Sequence, residues 1–149
     1  MTTMHPDIEI STDPARLDVD LIHGFLSRSS YWAAGIPRAT VARSLAGSLC
    51  FGAHAEGAQI GFARVITDRA TFAYLADVFV VEAWRGRGVS KSLVAAVLAH
   101  PDLQGLRRFM LATEDAHGLY EQFGFTPLAS PERWMEIARP RIYERDGTG

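Results

Sequence analysis

Arg85, Gly86, Arg87, Gly88 and Lys91 fall together in the stretch "WRGRGVSKS" (84–92), directly ahead of the apolar run "LVAAVLAH". Glycines so spaced let backbone N–H groups converge, and a helix start adds free donors and the positive end of its dipole. Three cations beside those donors suit an anion such as a phosphate. From the residues alone, a tight turn with solvated basic side chains is an equal alternative. Two common phosphate signatures do not fit. A P-loop needs its second glycine where Ser90 precedes Lys91 and Ser92, and a dinucleotide fingerprint needs a third glycine where Lys91 stands.

Two further residues carry chemistry. Tyr120 lies in "LYEQFGF" (119–125), and a phenol with a pKa of ~10 can donate a proton at neutral pH. Ala116, Leu119, Tyr120 and Phe123 follow helical spacing, which turns Tyr120 inward and equally describes a core aromatic. Asp77 interrupts the apolar run "TFAYLADVFVV" (71–81). A buried carboxylate is costly unless paired, so Asp77 needs Arg64, backbone amides or a cationic ligand beside it. Tyr31 and Trp32, next to Gly35, either box a cation or anchor a loop. Glu114 reads as a solvated charge or a site wall, and Asp115 as a helix cap.

These residues need elements to hold them. Residues 7–11 alternate as a first strand, and Asp13-Pro14 opens a helix with Leu17, Leu21 and Phe25 on one face. A loop at Gly35 and Pro37 leads to a second helix over 38–48, striped by Val41 and Leu45. "LCFGAHA" and "IGFARVITD" flank the turn "EGAQ" as a hairpin. The strand 71–81 feeds the glycine turn and then a helix that ends before His100-Pro101, with Leu93, Val94, Val97 and Leu98 on its apolar face. A strand over 107–113, a short helix capped by Asp115 and Gly124, and "RWMEIA" (133–138), closing the sheet, complete the order β-α-α-β-β-β-α-β-α-β.

At 149 residues the chain has the size of one domain with its own core. A net charge of −2 argues against a general nucleic-acid binder, so any anion recognition is local. Cys50 stands alone, and the five histidines, His5, His23, His54, His100 and His117, show no metal-ligand spacing; no metal is expected. His54 reads as buried within a strand and the other four as surface. No long uncharged apolar run occurs, so the expectation is a cytoplasmic protein with no membrane partner. The tail "ERDGTG" is expected to fray.

The segment 78–100 resembles the acyl-CoA-binding core of the GNAT superfamily of N-acetyltransferases. That core reads Arg/Gln-x-x-Gly-x-Gly/Ala after a long strand; Arg85 and Gly88 match, and Ser90 takes the last position. The family's Tyr-bearing helix followed by Gly-Phe is matched by Tyr120, Gly124 and Phe125. The segment 74–88 resembles the diamine acetyltransferase branch, where an acidic pair stands at Ala76 and Asp77; only the second acid is kept.

The resemblance implies a single N-acetyltransferase domain over 1–149, an α/β (α+β) mixed sheet of about six to seven strands flanked by about four helices. It implies acetyl-CoA as acyl donor, with the backbone of Val78, Phe79 and Val80 pairing the pantetheine arm. Arg85 and the amides of Gly86, Arg87, Gly88, Val89, Ser90 and Lys91 would cradle the pyrophosphate. Tyr120 takes the place of the general acid, and Asp77 that of a base acting through water or of an amine-binding group. Tyr31, Trp32 and Glu114 fall in the acceptor region, for a small-molecule or peptide amine attacking the thioester directly. Arg38 and Arg64 instead suit an acceptor bearing a carboxylate. Cys50 lies away from both motifs and is not expected to carry the acyl group. Family members are often dimers, so a homodimer is one assembly the resemblance allows. The alternative function is a non-catalytic acyl-CoA sensor of the same fold, favoured by Ala76 and opposed by Tyr120.

Overall fold

The computed structural model describes residues 7–144. Its sheet has five strands in sequence order: β1 (Glu9–Ser11), β2 (Leu49–Ala55), β3 (Ala58–Thr67), β4 (Phe72–Val80) and β5 (Arg108–Leu111). The first four are antiparallel, and β5 runs parallel to β4. The β2–β3 turn is tight, with Glu56 and Gly57 both at positive φ (53° and 78°), the backbone that two-residue hairpins favour. Asp68 holds the next corner by accepting from the amides of Ala70, Thr71 and Phe72 at 2.8–3.1 Å.

Parallel β4 and β5 require a crossover, supplied by helix α3 (Val89–Ala99). Val89, Leu93, Val94 and Val97 are buried against Phe51, Ala63, Val65, Ala73 and Leu75, all on one sheet face. Helices α1 (Val19–Arg28) and α2 (Arg38–Ala46) cover the other face, where Ile22, Leu26 and Val41 pack with Phe62 and Phe79. Helix α4 (His117–Glu121) adds Tyr120 to the α3 side. Five strands and four α-helices form the expected mixed sheet, with fewer strands than expected.

Three local expectations are corrected. Asp13-Pro14 starts only a 3-10 turn over Pro14–Arg16, because the Asp13 side chain caps Ala15. Asp18 caps α1 instead, which shifts the helix phase so that Ile22 and Leu26 are buried and Leu17, Leu21 and Phe25 pack at the margin. Asp115 does not cap α4: Ala116 stands at the N-cap, no side chain caps the helix, and Thr113 Oγ1 accepts from the Ala116 amide at 3.0 Å. Residues 133–138 do not close the sheet; Pro131–Arg133 form a 3-10 turn and the rest is exposed. The expected frayed tail lies, beyond Glu144, outside the described residues.

Candidate active site

The sheet splits between its last two strands. β4 pairs with β5 from Phe72 to Leu75, after which β5 ends at Leu111 and β4 continues alone on that side to Val80. Ala76–Val80 therefore keeps a backbone edge free toward the split while remaining bonded to β3 on the other flank. A bulge sharpens the divergence: Phe62 faces Phe79 but Arg64 faces Ala76, so Asp77 and Val78 together oppose Ala63. Asp77 takes the left-handed conformation (φ 57°), which costs a non-glycine residue roughly 1–2 kcal/mol and needs outside support.

That support comes from two directions. Arg64 Nε donates to Asp77 Oδ2 at 2.8 Å, and Trp32 Nε1 donates to Asp77 Oδ1 at 2.7 Å. Arg64 also donates to Ser48 Oγ at 3.1 Å. The Asp77 and Arg64 side chains are 10% and 16% exposed, so the pair is largely withdrawn from water. Both carboxylate oxygens are thus engaged, and Asp77 ties the bulge to β3 and to the α1–α2 loop.

The same loop reaches the far side of the split. Tyr31 Oη accepts from the Glu114 amide at 3.1 Å, just beyond β5, while its neighbour Trp32 holds β4. The two rings meet edge to face, 5.0 Å apart. Adjacent aromatics therefore bridge the diverging strands, and both remain partly exposed. The Glu114 side chain is exposed at this mouth.

Tyr120 sits on the α3 side, 8% exposed, in a groove with Leu111, Ala112 and Thr113. Phe125 packs edge to face on its ring, and Gly124 (φ 95°) lets the Phe125 amide bond back to the Tyr120 carbonyl at 3.2 Å. Burial, then the nearby Tyr31 and Asp115, pushes the phenol pKa up to about 12. Tyr120 therefore stays protonated across the neutral range.

At the end of β4 the chain makes a 3-10 turn over Glu82–Trp84, then Gly86 and Gly88 both adopt positive φ (76° and 83°) before α3 begins at Val89. That geometry is open to glycine and strained for other residues. The amides of Val89, Ser90 and Lys91 open α3, whose first bond runs from Ser92 to the Gly88 carbonyl at 3.0 Å. They face a groove of about 700 Å³ that Val80, Trp84, Arg85, Lys91 and Phe123 also line. Arg87 stacks over Trp84, 4.6 Å from the ring centroid, and Arg85 Nε donates to the Val80 carbonyl at 3.2 Å. The opening amides of a helix N-terminus and exposed cations together fit a diphosphate. Sequence reasoning did not find Trp84 or Phe123 as groove walls; the one available signal was an aromatic next to the glycine turn.

The remaining candidates are dispersed. Cys50 is buried on β2, its pKa raised to about 11 by desolvation. His54 is half-buried on β2, His23 bonds the Ile36 carbonyl, His100 accepts from the Asp102 amide, and His117 is exposed; His5 lies outside the described residues. Among the described residues no three His, Cys, Asp or Glu side chains gather as a metal would require. No helix among them is long and apolar enough to cross a membrane.

Residues 46–127, spanning β2 to just past α4, match the acetyltransferase (GNAT) domain family. The chain belongs to the GNAT acetyltransferase family. A Gibberella zeae protein named as a candidate acetyltransferase is 35% identical, with 76% of each chain covered. The crystal structure of a candidate GNAT-family acetyltransferase from Xanthomonas campestris pv. campestris superposes with a TM-score of 0.92. It is 56% identical and covers 94% of this chain and 99% of that one. A Deinococcus radiodurans candidate acetyltransferase shares the fold at a TM-score of 0.72 and 22% identity, over 93% of this chain and 92% of its own.

Proposed function

We propose that this GNAT protein is an acetyl-CoA-dependent N-acetyltransferase in which a primary amine attacks the thioester directly. The proposal rests on three features: the side of Ala76–Val80 that β5 leaves without a strand, the amides that open α3 after the glycine turn, and the protonated Tyr120 in the groove with Leu111–Thr113.

The free edge offers Val78, Phe79 and Val80 to an extended pantetheine arm as an added strand. Gly86 through Lys91 would receive the pyrophosphate, with Arg85, Arg87 and Lys91 raising the local potential. As the amine nitrogen bonds the acetyl carbon, negative charge collects on the carbonyl oxygen, and an amide of the free edge would stabilise it. Collapse breaks the carbon–sulfur bond. The departing thiolate takes the Tyr120 proton; the surplus proton of the new amide leaves to water, and the phenolate recovers a proton from water before the next turnover. A phenol at about 12 yields its proton only to a strong base, and a thiolate desolvated in the same cleft gains basicity from the same cause.

On the acceptor side, Tyr31, Trp32 and Glu114 wall the mouth and suit a cationic amine by ring faces and charge. Asp77, with both oxygens engaged, acts as a positioning residue: it holds the bulge and Trp32. Ala76 supplies no carboxylate, so the amine loses its proton to solvent or to water held at the mouth. A diamine acceptor, as β4 of the related branch suggests, would set its second ammonium against Glu114.

Tyr120→Phe separates binding from chemistry. Thiol release from acetyl-CoA with a panel of small primary amines should fall about a hundredfold or more, while the thermal shift given by acetyl-CoA is kept. Unchanged release removes Tyr120 from the mechanism. If none of the amines makes the wild type release thiol, non-catalytic acyl-CoA binding becomes the better reading.

A further inference from the structure

The loop between α1 and α2 carries both aromatic walls of the mouth, so whatever fixes residues 29–37 fixes the acceptor side. Its inner side is tied to α1. The Gly35 amide donates to the Ser27 carbonyl at 3.0 Å, and Ser30 Oγ donates to the Leu26 carbonyl at 2.6 Å while accepting from the Ala33 amide at 3.1 Å. His23 Nε2 meets the Ile36 carbonyl at 3.0 Å. From that base Tyr31 and Trp32 reach out to the Glu114 amide and to Asp77.

The outer side of the loop is met by residues more than a hundred positions away in the same chain. Residues 131–142 are exposed at every position, and at Tyr143 the chain withdraws from water again. The Ile142 amide bonds the Arg139 carbonyl and the Glu144 amide the Arg141 carbonyl, both at 3.1 Å, and Arg141 pairs with Glu144 at 2.8 Å. Residues 139–144 thus coil into a turn that presents Tyr143 to the apolar cluster containing Ile22, Leu26, Ala33, Ile36 and Val41. The Tyr143 carbonyl lies so close to Gly35 that a Cβ there would stand 2.7 Å from its oxygen. Gly35 is also at φ 83°, so two separate constraints call for glycine at this one contact. Tyr143 packs at the margin of the cluster and not in its buried centre, so its removal leaves the core in place and uncovers one face of the loop.

We infer that Tyr143 is a positioning residue for the acceptor: it braces the 29–37 loop from outside, so that Tyr31 and Trp32 already wall the mouth when an amine arrives. Ordering the loop in advance strengthens acceptor binding, because that cost is not met at the binding step. Acetyl-CoA, held by the β4 edge and the glycine turn, does not depend on this contact. The role rests on the reading of Tyr31 and Trp32 as acceptor walls; the contact between Tyr143 and the loop does not.

Hydrogen exchange followed by NMR on the full chain tests the brace without any acceptor. Tyr143→Ala should speed exchange of the Trp32 indole N–H and the Glu114 amide about tenfold or more and leave the β3 amides unchanged, and Tyr143→Phe should restore the wild-type rates. Thiol-release kinetics use the amine that the wild type accepts best from the panel of small primary amines. There Tyr143→Ala should raise the amine KM about tenfold, with kcat and the acetyl-CoA KM within about twofold of wild type. The wild type must also show nuclear Overhauser contacts between the Gly35 Hα protons and Tyr143, which keeps the test decisive if the variant fails to fold. Their absence overturns the inference. So does unchanged exchange at Trp32 and Glu114 in Tyr143→Ala, exchange that speeds equally in β3, or an acetyl-CoA KM raised as much as that of the amine. Faster loop exchange in a protein that turns over no amine overturns the proposed function and with it the acceptor role, leaving Tyr143 a brace of the loop alone.

Discussion

From Ala73 to Leu75, β4 is bonded on both flanks and buries Ala73 and Leu75; from Ala76 to Val80 it is bonded to β3 alone, bulged, and open toward the split. One strand is therefore wall in its first half and binding edge in its second. The difference arises from where β5 stops, from the left-handed Asp77, and from the ion pair and indole that hold that conformation. The strand's other flank stays paired to β3 on either side of the bulge, at Ala76 and again at Phe79 and Val80.

Substitutions can break that contrast, starting with the largest effect. Leu75→Ala, in the paired half, should cost about 3–4 kcal/mol through the cavity it leaves, lowering Tm by roughly 10 °C. Acetyl-CoA affinity, measured where the variant is folded, should barely change. Asp77→Ala, in the free half, should cost about 3 kcal/mol by leaving Arg64 buried and unpaired. Unlike Leu75→Ala, it should also weaken acetyl-CoA binding, since the bulge loses its support; a purely stability effect would erase the functional distinction between the halves. Trp32→Phe removes one hydrogen bond to Asp77 and should cost about 1 kcal/mol, a Tm change of a few degrees, and raise the acceptor KM more than the acetyl-CoA KM.

The smallest effect is a pH signature. The folded pKa of Tyr120 is raised above the ordinary phenol value of ~10, so its contribution to stability is fully present below pH ~10. That contribution declines as pH rises toward about 12. Alkaline unfolding of Tyr120→Phe should lack this component. An identical alkaline profile in both proteins would mean that the phenol is not desolvated.

The periodic elements were legible in the sequence because their signals are local. The hairpin around Gly57, the apolar β4, and the α3 stripe of Leu93, Val94 and Val97 each depend on residues within one element. The Arg85–Lys91 turn declared itself by composition. The bulge did not, because a left-handed Asp77 is set by register against β3 and by partners 13 and 45 residues away. The phase of α1 was misread because Asp13 and Asp18 both look like caps and only packing chooses between them. Residues 133–138 carry strand propensity, but propensity alone makes no strand, and here the segment stays off the sheet.

The central claim is that the free half of β4 and the glycine turn form one acyl-CoA cleft. Thermal unfolding of the pure protein with acetyl-CoA, free CoA and NAD in separate samples tests it most directly. A ligand at ~100 times its Kd adds about 2.7 kcal/mol, a shift of several degrees for a chain of this size. The account predicts such a shift with acetyl-CoA and CoA, none with NAD, and loss of both shifts in a folded Gly88→Trp variant. No shift with either CoA species, or an undiminished shift in that variant, would contradict it.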